Sequence, residues 1–214
     1  AIWIWNNKSK IEYIKKPVIV YGSVIGLIFA YGVVMFHFAG NSKESVRIAG
    51  VTVPISDLLN DDEDVSSTFY TNGFTDENLT NTRNKLASVV DELFQKTELE
   101  ARAGAKIVFW SELNGAILKQ DEEAVLRQAS DMAKQEEIYL IVSLLVKTPY
   151  VDLKENKTVA FNPQGELISE YFKHGRSIGE LCQKGDGVIK SFDTEYGRIA
   201  PFICSDMAFL SKIQ

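Results

Sequence analysis

The sequence predicts an α/β domain with mixed parallel and hairpin strands, preceded by one transmembrane helix. Three observations support this prediction. Residues 17–36 form an uncharged apolar run, the chain after it alternates between helical and strand-like patterns, and two pairs of strand-like runs are separated by turn residues. The 214 residues are 45% hydrophobic and 24% charged, which is typical of a folded chain and excludes a disordered or collagen-like one.

The apolar run PVIVYGSVIGLIFAYGVVMF is long enough to cross a membrane, because about 20 helical residues span a hydrocarbon core of about 30 Å. We therefore expect a transmembrane helix over residues 17–38. A signal peptide would have a shorter apolar region, and buried core helices are usually shorter as well. Four lysines precede the run: Lys8, Lys10, Lys15 and Lys16. Residues 1–16 are interpreted as the end of a preceding span followed by a basic loop. The lysines place this loop in the cytoplasm and the chain after Gly40 outside it.

Residues 45–214 form the predicted α/β domain. Ser45 to Val53 is a short β-branched run typical of a strand. The acidic stretch that follows, residues 57–78, has no usable periodicity, so we expect a solvated loop, with a mobile lid over a site as the alternative. An apolar stripe at helical spacing then predicts a helix ending at Gly104, and the strand Lys106–Trp110 follows it. The stripe comprises Leu79, Leu86, Val90, Leu93 and Phe94.

The second half of the domain repeats this pattern and adds two hairpins. A second amphipathic stripe predicts another helix, and Ile138–Val146 is an apolar run typical of a strand buried on both faces. Turn residues join Thr158–Phe161 to Leu167–Phe172, and likewise Val188–Phe192 to Ile199–Ile203. The second stripe comprises Val125, Ala129, Met132 and Ala133.

Charge and metal-ligating residues exclude several classes of function. A net charge of −6 gives no electrostatic reason to expect nucleic acid as a partner. The chain has two cysteines, Cys182 and Cys204, and two histidines, His37 and His174. That is too few for a disulfide framework and makes a metal centre improbable, so we expect neither a metal nor a cofactor, and a thiol is the most reactive group left.

Three polar residues lie just past the ends of predicted strands. Glu112 comes after Lys106–Trp110, Lys173 after Leu167–Phe172, and Cys204 after the run ending at Ile203. Open α/β sheets bind ligands at the carboxyl ends of their strands. Each residue alone has an ordinary structural explanation, but the three types together favour a common site.

The chemistry of a nucleophilic thiol needs these residue types together. A free thiol, with a pKa of about 8.5, is only a few per cent thiolate at neutral pH, so it needs a base or a positive field. Glu112 can be the base and Lys173 the field for Cys204. Attack on a carbonyl also creates an oxyanion, which the Lys173 ammonium and the Ser205 backbone N–H would stabilise if a helix begins at Ser205.

Three segments resemble the signatures of the nitrilase, or carbon-nitrogen hydrolase, superfamily, in the same order. They are WSE at residues 110–112, EYFKHGRSIGE at 170–180 and ICSDMAF at 203–209. The resemblance covers roughly residue 45 to the C-terminus. It implies an αββα sandwich, C-terminally incomplete in this chain, with Glu112 as general base, Lys173 stabilising the tetrahedral intermediate and Cys204 as nucleophile. A second glutamate after the lysine motif often belongs to such sites, and Glu180 matches it.

The apolar span is similar to one branch of this superfamily, the apolipoprotein N-acyltransferases, which carry several transmembrane helices ahead of an extracytoplasmic catalytic domain. That resemblance implies a multi-pass protein of the cell membrane. Its Cys204 would take a fatty acyl group from a phospholipid donor and pass it to the N-terminal amine of a lipoprotein acceptor.

Other readings remain open. The same residues with water as acceptor would make a membrane-anchored amidase, and a chain with an inactive site would be a binding module of the membrane surface. A Cys–His enzyme built on His174 is disfavoured, because His174 follows Lys173 directly and would point the other way on a continuing strand. A disulfide between Cys182 and Cys204 would block the proposed nucleophile.

Overall fold

The computed structural model describes residues 8–38, 45–71, 75–175, 181–189 and 191–212. The chain divides into two compact units, residues 1–45 and residues 46–214. Within the first unit, helix α1 covers Lys8–Phe38. Its segment Ile14–Phe36 is long and apolar enough to cross a membrane.

Helix α1 begins earlier than we expected. The basic segment before Pro17, predicted as a loop, is helical from Lys8 onward. Lysine and isoleucine are compatible with a helix, and no glycine interrupts the residues between Lys8 and Pro17. Pro17 removes one backbone donor, yet the helix continues through it.

The second unit begins with strand β1, Arg47–Val51, and then departs from the prediction of a loop. Residues 56–71 are helical: α2 covers Ser56–Asn60, α3 covers Glu63–Ser66, and a π-helical turn covers Ser67–Thr71. Three apolar side chains anchor this segment in the core: Leu59, Val65 and Phe69. Val65 and Phe69 are four residues apart, which is a helical spacing, but Leu59 lies six residues before Val65. No single helical period therefore runs through the segment, and the sequence pattern did not reveal the helices.

The acidic residues of this segment make defined contacts. The Asp62 side chain accepts a hydrogen bond from the Val65 backbone N–H and so caps α3. The ammonium of Lys85 donates to both Asp62, at 2.8 Å, and Asp64, at 3.1 Å. Hydrogen bonding to Lys85 outweighs burial and lowers the pKa of Asp62. The segment is therefore fixed against the next helix rather than being only a solvated stretch.

The remaining elements follow the predicted alternation. Helix α4 covers Asp76–Arg102 and α5 covers Glu122–Gln135, in agreement with the two apolar stripes. The strands are β2 Ala105–Trp110, β3 Gly115–Leu118, β4 Tyr139–Lys147, β5 Glu155–Phe161, β6 Leu167–Phe172, β7 Phe192–Thr194 and β8 Gly197–Ile199. Short 3₁₀ helices cover Lys119–Asp121 and Cys204–Lys212.

Within the described ranges, six strands form one mixed sheet in the order β1-β2-β4-β5-β6, with β3 also paired to β4. Strands β1, β2, β3 and β4 run parallel, and β4, β5 and β6 are antiparallel neighbours. The hairpin of β5 and β6 confirms the predicted turn. Strands β7 and β8 form a second hairpin whose paired segments differ from the predicted runs 188–192 and 199–203.

Helices α4 and α5 cover one face of the sheet. That face carries the main core, in which Leu93 and Phe94 of α4 meet Val108 and Trp110 of β2. The Trp110 indole N–H donates to the Thr97 hydroxyl at 2.9 Å, so this buried polar group is satisfied.

The opposite face of the sheet carries a smaller apolar cluster of Ile107, Ile141 and Ala160, against which Phe192 and Ile199 of the β7–β8 hairpin pack. A layer of helices, a sheet and a second, two-stranded layer are thus present, as expected for part of an αββα sandwich.

Candidate active site

Glu112 lies in a gap between two strands that share one neighbour. Strand β2 pairs with β4 up to Phe109 and Ile141, and β3 pairs with β4 from Gly115 and Leu144 onward. The residues between β2 and β3 therefore leave the sheet while β4 continues past them. This break places the Glu112 carboxylate at the carboxyl end of β2, as predicted.

Polar contacts fix the shape of this gap. The Ser143 hydroxyl donates to the Trp110 carbonyl at 3.0 Å, and the Asn114 side-chain oxygen accepts from the Val53 backbone N–H at 2.6 Å. Leu113, next to Glu112, has a φ of 65°, a left-handed conformation that is costly for a branched side chain. Glycine is required at 115, because a Cβ there would lie 2.7 Å from the Ser143 carbonyl oxygen.

Lys173 lies one residue beyond β6, and its ammonium reaches the Glu112 carboxylate. The Lys173 Nζ is 2.8 Å from Glu112 Oε1. The lysine side chain is only 4% exposed, whereas that of Glu112 is 29% exposed. A buried ammonium needs a partner, and this carboxylate supplies one. The structure thus brings together two of the three predicted catalytic residues.

Asn156 of β5 contacts both members of this pair. Its side-chain amide donates to Glu112 Oε1 at 2.9 Å, and its backbone carbonyl accepts the Lys173 N–H at 2.9 Å. Glu112 Oε1 therefore receives two donors. Within the described residues, Oε2 has no hydrogen-bond partner, which leaves it as the oxygen able to accept a proton.

Cys204 is an exposed free thiol at the start of the last 3₁₀ helix. Its φ of 47° lies in the left-handed region, which favours glycine. The chain leaves the apolar residue Ile203, buried at 3% exposure, and turns sharply at the cysteine. The sulfur is therefore presented at the surface rather than sealed in the core.

Glu112 and Cys204 line the same cleft, whose volume is about 460 Å³. One wall is the sheet face that carries Phe109 and Thr158, and the other is the segment 199–204. Much of the lining is apolar, and Phe109 and Phe202 remain partly exposed there. The cleft can hold an apolar acyl group beside a thiol and a carboxylate.

Asp206 joins the cysteine segment to the lysine segment. Its carboxylate is buried and accepts hydrogen bonds from the Tyr171 hydroxyl at 2.7 Å and from the backbone N–H groups of His174 and Gly175. Burial and the Asp206 carboxylate raise the pKa of Tyr171, so its hydroxyl stays a donor. These contacts connect the residues that flank Cys204 with those that flank Lys173.

The other predicted residues are placed as follows. Ser205 is the second residue of the 3₁₀ helix, and its hydroxyl oxygen is buried with no hydrogen-bond partner among the described residues. Glu180 lies outside the described residues. The His174 ring is 2.9 Å from the Gly185 carbonyl oxygen. Cys182 is buried, and no disulfide joins it to Cys204. In the part of the chain that the structure describes, no group of three or more His, Cys, Asp or Glu side chains could hold a metal ion.

Sequence reasoning missed the contacts of Asn156 and Asp206. We expected β5 to begin at Thr158, so Asn156 was left outside the strand, although an extension by two residues puts it on the same face as Thr158. Asp206 lies inside the segment ICSDMAF, but nothing in that segment indicates its partners. Its partners are 31 to 35 residues away in sequence, beyond the reach of any local pattern.

The structure is an α/β fold with a thiol and a carboxylate in one cleft, and comparison with known proteins gives its family. A sequence model of the carbon-nitrogen hydrolase family matches residues 74–211, more than half of the chain. The chain belongs to this family, within the nitrilase superfamily, and its second unit has a nitrilase-like α/β fold.

Individual relatives match the chain over part of their length. Pantetheinase of Canis lupus familiaris is 31% identical over 99 residues, which is 40% of this chain and 19% of that protein. A carbon-nitrogen hydrolase structure from Helicobacter pylori G27 is 20% identical, with a TM-score of 0.48, over 56% of this chain and 47% of the other. An amidase structure from Nesterenkonia sp. is 17% identical, with a TM-score of 0.48, over 59% and 53%. The chain thus spans about a fifth of that curated relative and about half of these two structures.

Proposed function

We propose that this chain belongs to an enzyme that moves an acyl group through a thioester on Cys204. The observation that carries the proposal is the shared cleft: an exposed thiol and a carboxylate line it, and a buried ammonium is bonded to that carboxylate. The three groups supply a nucleophile, a base and a positive charge for one carbonyl. Membership of the carbon-nitrogen hydrolase family supports the same reaction class.

The first half of the reaction forms the thioester. Glu112 Oε2 accepts the thiol proton of Cys204 as the sulfur attacks the acyl carbonyl carbon. The carbonyl oxygen becomes an oxyanion, which the Lys173 ammonium and the Ser205 backbone N–H stabilise. When the tetrahedral intermediate collapses, the bond to the leaving oxygen or nitrogen breaks, and that atom takes the proton back from Glu112.

The second half transfers the acyl group. Glu112 accepts a proton from the incoming nucleophile, which attacks the thioester carbonyl. The carbon–sulfur bond then breaks, and the sulfur of Cys204 takes up the proton. An amine acceptor gives an amide, and water gives an acid. The same three residues can therefore catalyse acyl transfer or hydrolysis, depending on the acceptor.

For the acyl donor and acceptor, we propose a membrane phospholipid and the N-terminal amine of a lipoprotein. Two observations support this choice: the apolar segment Ile14–Phe36, and the largely apolar cleft beside Cys204. An enzyme held at a bilayer meets a donor that is concentrated there and poorly soluble in water. In this proposal the catalytic unit lies outside the cytoplasm, because the lysines before Pro17 are on the inner side.

The second candidate is an amidase in which water releases the acyl group. The observation that favours it is the 31% identity between part of this chain and pantetheinase, a relative whose name indicates cleavage of pantetheine. The same cleft and the same residues would act, with a soluble amide as substrate.

The test uses the full-length protein in vesicles of phosphatidylethanolamine and phosphatidylglycerol with isotope-labelled acyl chains. We expect an acyl mass on the peptide that contains Cys204, and its transfer to a synthetic diacylated lipopeptide with a free N-terminal amine. A Cys204→Ala variant should show neither event, and a Cys182→Ala variant should show both.

Other outcomes decide against parts of the proposal. If Cys204 gained an acyl mass only from small amides, and the acyl group was then released by water, the protein would be an amidase and not an acyltransferase. A protein whose Cys204 acquires no acyl group from phospholipids, esters or amides would not be a thioester enzyme at all.

A further inference from the structure

The hydrogen bonds of Glu112 divide its two oxygens into an anchored one and an open one. Oε1 accepts from the Lys173 ammonium at 2.8 Å and from the Asn156 amide at 2.9 Å. Both donors therefore hold the same oxygen. A carboxylate fixed at one oxygen by two donors cannot rotate freely, so the direction of its other oxygen is determined by them.

Asn156 is placed to do this by the sheet itself. It lies in β5, where antiparallel pairing with β6 puts Lys157 opposite Phe172. The Asn156 carbonyl accepts the Lys173 N–H at 2.9 Å, so the same residue sets the backbone position of the lysine. Asn156 is 1% exposed, and its position is fixed by the strand rather than by a mobile loop.

We propose that Asn156 is a positioning residue that aims Glu112 Oε2 at Cys204 and keeps Lys173 in register with it. This inference rests on the proposed function, since it assigns Glu112 the role of base. The carboxamide suits the task because it donates a hydrogen bond while carrying no charge. A cationic donor at 156 would compete with Lys173, and a carboxylate would repel Glu112.

Within the described residues, Glu112 has one ionisable group in direct contact and another in the same cleft. The Lys173 ammonium contacts it directly, and the Cys204 thiol lines the same cleft. Replacing the Asn156 amide by a carboxylate would add one negative group to this set. The ionised form of Glu112 would become less favourable, and the base would stay protonated up to a higher pH.

The test compares Asn156→Asp and Asn156→Ala with wild type in the full-length protein, using the rate of Cys204 acylation by a p-nitrophenyl acyl ester across pH. For Asn156→Asp we expect the acidic limb of the profile to move to higher pH by about one unit. For Asn156→Ala we expect kcat to fall about 10- to 100-fold with KM nearly unchanged, because the base is misdirected while the cleft is intact. Asn156→Gln keeps the amide on a longer side chain, so its kcat should lie between that of Asn156→Ala and that of wild type.

Ser169→Ala is the matched control, because Ser169 is a buried polar residue of the neighbouring strand whose hydroxyl has no partner in the described part of the chain. It should keep wild-type kinetics. If the Asn156 variants had the same pH profiles and rates as wild type, the inference would be overturned. Acylation of Cys204 in wild type would in that case still support the thioester. If Asn156→Asp and Asn156→Ala both failed to fold while Ser169→Ala folded, the inference would also be overturned. Asn156 would then have a purely structural role. Absence of acylation in wild type would instead remove the proposed function.

Discussion

The carboxylate of Asp206, two residues after Cys204, accepts a hydrogen bond of 2.7 Å from the hydroxyl of Tyr171, two residues before Lys173. One buried side chain thus connects the segments that carry the proposed nucleophile and the proposed oxyanion-stabilising lysine. The backbone N–H groups of His174 and Gly175 also donate to it.

Asp206→Asn should therefore impair acylation without disturbing the cleft lining. The new amide nitrogen cannot accept a hydrogen bond, so one of the two oxygens that serve these buried donors would be lost as an acceptor. Such a loss costs about 1–3 kcal/mol. We expect acylation of Cys204 to slow by about 10- to 100-fold and the protein to lose thermal stability.

Tyr171→Phe is the comparison for this variant, because it removes one donor and leaves the two backbone N–H bonds in place. Acylation rates and melting temperatures of both variants check the prediction. Equal rates in wild type and Asp206→Asn would show that the connection does not influence catalysis.

Glu112→Gln should remove the base while keeping the shape of the site. Losing a general base typically costs a factor of about 100 to 10,000 in rate. Cys204 should still be present and exposed, so prolonged treatment with iodoacetamide should alkylate it in the variant. The burst of p-nitrophenol from an acyl ester measures the rate; an undiminished burst would exclude Glu112 as the base.

Lys157 should stabilise the fold rather than the reaction. Its ammonium, 3% exposed, contacts Glu122, Glu155 and Glu170. Burial would lower the pKa of Lys157, but these hydrogen bonds outweigh it and raise the pKa above 10.5. Removing one partner of a buried ion pair costs about 3–5 kcal/mol, so Lys157→Met should lower the free energy of unfolding by about 3 kcal/mol.

The same cluster predicts acid sensitivity. Burial would raise the pKa of Glu155, but hydrogen bonds from Lys119 and Lys157 lower it below 4.5. A carboxylate with a lowered pKa in the folded state stabilises the protein above its unfolded pKa, and that contribution is lost as the pH falls through the folded value. Urea unfolding from neutral pH to about pH 3 should show stability falling below about pH 4.5, with a smaller fall in Glu155→Gln.

Gly26→Arg should weaken membrane insertion of helix α1 in the full-length protein. Gly26 lies near the middle of Ile14–Phe36, where an arginine costs about 2.5–3.5 kcal/mol. Gly26→Leu is the control and should insert at least as well as wild type. Cleavage of the second unit by an impermeant protease added to intact cells reports insertion of α1; a wild-type second unit protected from the protease would contradict the proposed span.

The elements that the sequence predicted are those with a regular apolar period or a long uninterrupted apolar run. The stripe from Leu79 to Phe94 and the run from Ile138 to Val146 both became buried elements at nearly the expected bounds. Strand β3 was not predicted, because its four small or aliphatic residues are too few to show a strand or helix period. Its pairing with β4 depends on the close approach at Gly115, a tertiary feature.

The meeting of Glu112 and Lys173 could be predicted from the sequence, whereas the residues that contact them could not. Glu112 and Lys173 could be proposed because each follows an apolar strand, and the structure places them 2.8 Å apart. Asn156 and Asp206 could not, since their importance comes from contacts across the sheet. Their burial and their partners become visible only when β5, β6 and the cysteine segment are assembled.

The left-handed backbone at Cys204 lowers the stability of the folded protein. A residue with a side chain pays about 1–2 kcal/mol for this conformation, whereas glycine adopts it at little cost. Cys204→Gly should therefore melt at a higher temperature than the native protein while being chemically inert. In the proposed function, this strained bend costs stability and holds the thiol in the cleft where the acyl group would bind.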